Sequence, residues 1–363
     1  MKAAVLHAFN EPFKVESVEL GEPRDGEVRV KLAASGVCHS DLSIQRGILP
    51  IMAPVIIGHE GAGLVEAVGR GVKSVAPGDH VVLTWLSSCG VCRDCARARP
   101  HLCKRAAQLI SGGGRMADGT TRFKCGGHDM PHWVGSFAEH TIVAEEAVVK
   151  IREDVPLAAA ALVGCGVMTG VGAVLNTAKV EPGATVAVFG AGGVGLNAVQ
   201  AAALAGAEKV IVVDVNDAKL KLAKEFGATH VVNGKKDDPV AAIQELTDGG
   251  AEYVFEVIGN TSVIEQAFNA LRAGGKLVIV GVPAVSSQVT FPAAFFPLAE
   301  KAVLGSYYGS PRYRYDMPMI LDLYMAKKLK LDELISKRLK IDDIQVAFDL
   351  MEKGEVARSV IAY

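Results

Sequence analysis

The chain has 363 residues, 50% hydrophobic and 21% charged, with 38 Lys and Arg against 40 Asp and Glu for a formal net charge of -2. That length suggests two domains, each large enough to bury a core. The balanced charge excludes the basic footprint on which nucleic-acid binding depends.

The opening MKAAVLHAFNE reaches an acidic residue before a signal-length apolar stretch is complete, so no export is implied and a reducing cytoplasm is expected. Strand and turn signals dominate the first part of the chain. Glu27–Ala33, Gly63–Val68 and His80–Thr84 are short β-branched runs punctuated by Gly or by Pro77-Gly78. Val155–Ala178 is uncharged and long enough for a bilayer, but glycines and Cys165 interrupt it and no sustained Leu, Ile or Phe block is present. It reads as a buried, glycine-interrupted helix that carries Cys165 to an interior site, with no membrane partner.

From Glu181 the pattern alternates. Strands are expected at Thr185–Phe189, Lys209–Asp214, Thr229–Asn233, Tyr253–Val257, Lys276–Gly281 and Ala302–Ser306. Helices are expected at Val194–Ala205, Asp217–Phe226, Pro239–Thr247 and Ser262–Leu271. This alternation predicts an α/β fold with a parallel, doubly wound sheet covered by helices on both faces. The tail from Tyr307, with a helix near Met317–Lys328 and a strand at Ser359–Tyr363, is too short to stand alone. It is expected to pack on the β-rich N-terminal part, giving a discontinuous domain of residues 1–166 and 307–363 around a domain of residues 167–306.

Gly190-Ala191-Gly192-Gly193-Val194-Gly195 fits G-x-G-x-x-G after a strand and at the mouth of a helix. Such glycines allow a tight turn and let backbone N–H groups approach a pyrophosphate, although a purely architectural turn has the same pattern. Asp214 ends the following strand, where a carboxylate accepts from an adenosine ribose diol and repels a 2′-phosphate. NAD is therefore expected over NADP.

Cys89, Cys92, Cys95 and Cys103 form C-x2-C-x2-C-x7-C, a spacing that wraps one tetrahedral Zn²⁺ with no open position. An iron–sulfur cluster is the alternative, without any nearby sign of electron transfer. Cys38 in GVCHSD, His59-Glu60 in GHEGAG and Cys165 in LVGCGV are dispersed, and spacing alone does not join them. Two thiolates and one imidazole would leave an open zinc position that polarises an alcohol or carbonyl oxygen. Singly, each reads equally as a small buried hydrophobe or a core histidine.

Taken together, GHEGAG, the four-cysteine lobe, GCG around Cys165, the GAGGVG turn, FEVIGN at Phe255–Asn260, GVP at Gly281–Pro283 and the closing RSVIAY resemble the zinc-dependent medium-chain alcohol dehydrogenases over essentially the whole chain. The resemblance implies a Rossmann domain beside a GroES-like catalytic domain, with NAD and two Zn²⁺ per subunit. It implies that Cys38, His59 and Cys165 ligate a catalytic zinc, with Glu60 behind it as a transient or outer ligand and Asp41 bonded to the zinc histidine. Ser40 matches the hydroxyl that takes the alcohol proton. The cofactor set would comprise His39, Thr169, Gly190, Gly192, Gly193, Val194, Gly195, Asp214, Lys219, Val282 and Arg358, with His39 and Arg358 on the pyrophosphate. The sequence departs from relatives at Ser43, where several place a relay histidine, and at Asn260, where a basic residue is common.

Counting from these motifs puts Leu49, Trp85, Trp133 and Val282 around the substrate. The resemblance thus implies oxidation of a primary aliphatic or aromatic alcohol, or the reverse reaction. The alternative is the family's S-(hydroxymethyl)glutathione dehydrogenase activity, whose pocket arginine falls at Ala107 here, two residues from Arg105. Gly112–Trp133 is longer than a simple connection requires; relatives with a comparable insertion include dimers, so the resemblance implies a homodimer over a homotetramer, and Cys125 within the segment is expected to be a free thiol.

Overall fold

EVRVKLAASGV is aliphatic at nearly every second position and becomes continuously apolar or small at its end. It forms the strand Glu27–Val37, whose last four residues are all buried. This strand lies at the centre of a seven-stranded sheet. Glu60–Val68 and then His80–Leu83 and Val148–Lys150 extend on one side, Arg358–Ala362 and Ile335–Leu339 on the other, and His140–Ala144 pairs with its first half. A second sheet joins Lys14–Ser17, Lys2–Leu6 and Val55–Ile56. Phe13, Phe137 and Phe348 pack together in the core between them.

The structure, a computed structural model, describes residues 1–49 and 51–363. They divide into one unit of Met1–Cys165, Arg312–Lys327 and Leu331–Tyr363, and a second of Gly166–Pro311 and Lys328–Lys330. Residues 307–311 thus stay with the second unit, where the sequence placed them in the first. The reason is local: Asn176 Nδ2 donates to the Gly309 carbonyl at 3.3 Å, and a Cβ on Gly309 would lie 2.4 Å from the Met168 carbonyl. Lys330 N likewise donates to Gln200 Oε1 at 2.8 Å.

The second unit holds a six-stranded parallel sheet ordered His230–Asn233, Lys209–Asp214, Thr185–Phe189, Ala251–Glu256, Leu271–Ile279 and Ala302–Gly305. Val- and Ile-rich runs suit strands buried on both faces. The strand order reverses between Thr185–Phe189 and Ala251–Glu256, the position at which such sheets open a ligand crevice.

The apolar run after Val155 is not the single helix expected. A short helix Leu157–Ala161 tightens to a 3₁₀ turn at Leu162–Gly164, breaks at Cys165 with φ -149° and ψ -75°, and resumes as Gly166–Gly172. Glycine lets the resumed helix pack closely on its neighbour, because a Cβ on Gly170 would lie 2.3 Å from the Val194 carbonyl. Among the described residues no single helix is long and apolar enough to cross a membrane. The expected helix near Met317–Lys328 begins earlier, at Tyr313, and ends at Met325.

Candidate functional site

Sheet register assembles the first site. Gly36 faces Glu60 on one side and Ser359 faces Val37 on the other, so the end of strand Glu27–Val37 brings Cys38 between His59-Glu60 and Arg358. Gly36 has room for nothing larger, since a Cβ there would lie 2.0 Å from Glu60 Oε2. Cys38 then caps the helix His39–Gln45, and the Asp41 carboxylate returns to accept the Cys38 N–H at 3.0 Å. The other oxygen of Asp41 lies 2.9 Å from His59 Nδ1, and both side chains are buried. An ionised carboxylate only accepts, so Nδ1 carries a proton; against burial, Asp41 and Cys38 hold the ring's pKa well above its usual value, and Nε2 is the atom a cation would take in place of a second proton.

That Nε2 is buried without a hydrogen-bond partner. One donor atom each from Cys38, His59, Glu60 and Cys165 lies within 4.8 Å of the others. Buried polar atoms are rarely left unpaired, and a sulfur-nitrogen-oxygen set of this kind fits Zn²⁺. The bond from Cys165 holds Cys38 well below the usual thiol range against burial, with help from Arg358, and the same bond and burial push Cys165 up. A cation held there would be bound by the thiolate forms, so its binding would release thiol protons.

The second cluster, Cys89, Cys92, Cys95 and Cys103, also brings its four sulfurs within 4.8 Å. The Cys92 N–H points at Cys89 Sγ at 3.4 Å and the Cys89 N–H at Cys103 Sγ at 3.3 Å. Backbone donors from Val91 and Cys92 bring the Cys89 thiol down to about 6, whereas burial and its neighbours raise Cys95 to about 12. No fifth ligand side chain joins this group among the described residues, so it fits a closed tetrahedral metal.

In the second unit the glycine turn opens the helix Gly193–Leu204. Gly190 has φ +106° and Gly195 would drive a Cβ to 1.9 Å from the Gly190 carbonyl, so both are required by the turn. Gly192 faces open space, which leaves a cradle for a pyrophosphate at the helix N-terminus. Asp214 Oδ2 accepts the Ala191 N–H at 2.8 Å and Oδ1 accepts the Asn216 N–H at 3.0 Å. Each oxygen keeps a lone pair for a ribose hydroxyl.

The remaining expectations separate. Ser40 and Ser43 lie on the helix after Cys38, with Ser40 Oγ 3.8 Å from Cys38 Sγ, and His39 is its exposed first residue. Thr169 lies on the helix Gly166–Gly172, and Lys219 on Asp217–Glu225. Leu49 and Trp133 pack on one core cluster, Trp133 stacks on the His59 ring at 4.9 Å, and Trp85 meets Trp133 edge-on at 6.0 Å. Val282 is 78% exposed on the second unit. Asn260 is a helix cap, accepting from Ser262 N at 3.0 Å and Val263 N at 3.4 Å. Cys125 is a thiol bonded to Glu16 at 3.2 Å.

Arg358, expected on the pyrophosphate, donates its buried guanidinium here to Glu60 Oε1 at 2.8 Å and to the Val37 carbonyl at 3.2 Å. A buried carboxylate beside two thiols needs a counter-charge, and the register supplies it. Glu256 lies within the FEVIGN motif, but the sequence reading gave it no role. Fully buried, it uses Oε1 to accept the N–H groups of Ile258, Gly259 and Asn260 at 2.9, 2.7 and 3.4 Å, which fixes the turn packed on Gly190.

A family model described as zinc-binding dehydrogenase matches residues 193–349, and one described as alcohol dehydrogenase GroES-like domain matches residues 24–153. The chain is 40% identical, over 99% of its length and 97% of the relative's, to a Dictyostelium discoideum protein named alcohol dehydrogenase class-3. It is 41% identical, over 99% and 96%, to a Schizosaccharomyces pombe protein named probable S-(hydroxymethyl)glutathione dehydrogenase 1. The crystal structure of benzyl alcohol dehydrogenase from Acinetobacter calcoaceticus aligns with a TM-score of 0.94 at 34% identity, covering 99% of this chain and 98% of that one.

Proposed function

Because the chain belongs to the zinc-dependent medium-chain alcohol dehydrogenases, we propose that it interconverts primary alcohols and aldehydes using NAD, with one catalytic and one structural zinc per subunit. The observation that carries this reading is His59 Nε2, buried and unpaired among Cys38, Cys165 and Glu60.

Zinc, when bound, supplies a Lewis acid that acidifies the alcohol, and the dinucleotide supplies the hydride acceptor. The chain's own groups do the rest. Asp41 holds His59 in the tautomer that offers Nε2. Ser40 Oγ takes the alcohol proton and releases its own to water, since Ser43 cannot continue the relay as a histidine would. Arg358 balances the Glu60 carboxylate behind the ligands. Trp133 covers one face of His59 and keeps water from it. Asp214 selects the ribose diol of NAD, because a 2′-phosphate there would meet its negative charge.

A second reading, S-(hydroxymethyl)glutathione dehydrogenase, draws on the names of the relatives that are 40–41% identical. Against it, Arg105 is engaged by Glu146 at 3.2 Å and Ala107 is exposed. Following absorbance of the reduced nicotinamide with benzyl alcohol, medium-chain alcohols and S-hydroxymethylglutathione, each with NAD or NADP, separates the two. Turnover of simple alcohols with NAD is expected. Activity on the thiol adduct alone would replace the first reading with the second.

A further inference from the structure

The strand Ala251–Glu256 is buried along most of its length and ends on a carboxyl group that solvent does not reach. Sealing such a group inside a protein is costly unless a counter-charge compensates it. Among the described residues no Lys, Arg or His pairs with Glu256, and its Oε2 has no hydrogen-bond partner. Burial pushes the carboxyl up, and only the N–H groups of Gly259, Ile258 and Asn260 hold it back. A buried acid kept at that cost at the end of a parallel strand, where such sheets bind ligands, is a candidate for function.

Register shows what the group holds. Glu256 stands opposite Phe189 on one side and Ile279 on the other, so the turns that begin at Gly190, Val257 and Val280 lie side by side at one end of the sheet. The Val257 N–H donates to the Phe189 carbonyl at 3.1 Å, and the Glu256 carbonyl accepts the Val280 and Gly281 N–H groups at 2.8 and 3.0 Å. Three successive N–H groups, those of residues 258–260, form a nest of the kind that anions occupy, and the Glu256 side chain fills it from within. The turn then meets both neighbours without slack. A Cβ on Gly190 would lie 2.8 Å from Ile258 Cγ1, and one on Gly281 would lie 2.0 Å from Gly259 N.

With Asp214 on the adenosine ribose and the pyrophosphate at Gly190, the other half of a dinucleotide runs to the far side of the glycine turn, over the turns that follow Glu256 and Ile279. We infer that Glu256 is a positioning residue for the cofactor. Sealed from solvent, it touches no ligand; it presets the Val257–Asn260 turn against the glycine turn, and NAD affinity depends on the reach of its side chain. A turn left unset would have to be ordered by the dinucleotide on binding, which weakens affinity without altering the chemistry at the metal. The inference rests on the NAD reading and adds to it a residue that sequence motifs leave without a role.

Two conservative variants separate reach from charge. Glu256→Asp keeps the charge but withdraws the oxygen by one methylene, whereas Glu256→Gln keeps the reach and an acceptor oxygen without the charge. Ile243→Ala, a truncation in the core of the same unit, reports what general destabilisation does. NAD affinity is measured by calorimetry on the zinc-loaded full chain. Glu256→Asp should bind NAD at least about fivefold more weakly than the unmutated protein, and Glu256→Gln at least about threefold more tightly than Glu256→Asp. Ile243→Ala should stay within about twofold of the unmutated protein. With benzyl alcohol, KM for NAD should rise in Glu256→Asp while kcat at saturating NAD is not lowered.

A smaller loss in Glu256→Asp, or a Gln variant that fails to improve on it, would overturn the inference. So would a loss in Ile243→Ala equal to that in Glu256→Asp, or a fall in kcat with NAD affinity unchanged. In each of those cases the unmutated chain still binds NAD and the dehydrogenase reading stands. Failure of the unmutated chain to bind NAD would instead sink that reading, and the inference with it.

Discussion

Arg358 Nη2 donates to Glu60 Oε1 at 2.8 Å, and both side chains are sealed from solvent within the Cys38–His59–Cys165 cluster. Two buried charges 298 positions apart in sequence are thus committed to one another. Removing one partner from such a pair is costly because the other is left uncompensated. Arg358→Ala is expected to lower the unfolding free energy of the metal-loaded protein by about 3–5 kcal/mol, with Arg358→Lys recovering only part of the loss. Chemical denaturation measures it, and a loss below about 1 kcal/mol would mean that Glu60 is neutralised in another way.

Asp41 performs two tasks, capping the helix at Cys38 and orienting His59. An amide retains the shape but offers one acceptor oxygen in place of two. Asp41→Asn should weaken zinc binding at the Cys38–His59–Cys165 site by about 10–100-fold, read by competition with a chromophoric chelator. The four-cysteine site serves as the internal control. Equal loss at both sites would point to general destabilisation.

Asp214 already accepts two backbone N–H groups and projects toward the dinucleotide turn. Replacing it by Ala removes both the ribose acceptor and the charge opposed to a 2′-phosphate. The ratio of kcat/KM for NAD over NADP should fall by about tenfold or more. An unchanged ratio would assign cofactor choice to other residues.

His132 gives a pH signature in stability. Burial lowers its pKa from 6.5 to about 4, so the folded state favours the neutral ring. The unfolded chain binds the proton more readily, and this contribution is therefore fully present above pH 6.5 and lost as pH falls toward 4. Two and a half pH units correspond to about 3 kcal/mol. His132→Gln keeps a donor for the Ile142 carbonyl and does not titrate. The stability advantage of the unmutated protein over this variant should shrink by about 2–3 kcal/mol between pH 7 and pH 4.5. A constant difference across that range would show that His132 titrates alike in the folded and unfolded chains.

The range of each interaction decided whether it was legible in the sequence. The second unit was legible because βα alternation is local, and Gly190, Gly195 and Asp214 act within one strand–turn–helix. The four-cysteine lobe was legible for the same reason. Cys38, His59 and Cys165 became a set only through likeness to a family, since strand register and the break at Cys165 bring them together. The contact of Arg358 with Glu60 was not legible because it depends on the pairing of a C-terminal strand with Glu27–Val37. Glu256 gave no warning, as a buried carboxylate bonded to its own adjoining turn leaves no pattern beyond a single Glu.

The central claim is that His59 Nε2 is a zinc donor required for alcohol oxidation with NAD. Its most direct test is His59→Ala, assayed for reduced nicotinamide formation from benzyl alcohol and for NAD affinity by calorimetry. Turnover should fall by at least about a thousandfold with NAD affinity changed less than about threefold, because Gly190–Gly195 and Asp214 are untouched. A variant that binds NAD and oxidises the alcohol at near the unmutated rate would contradict it.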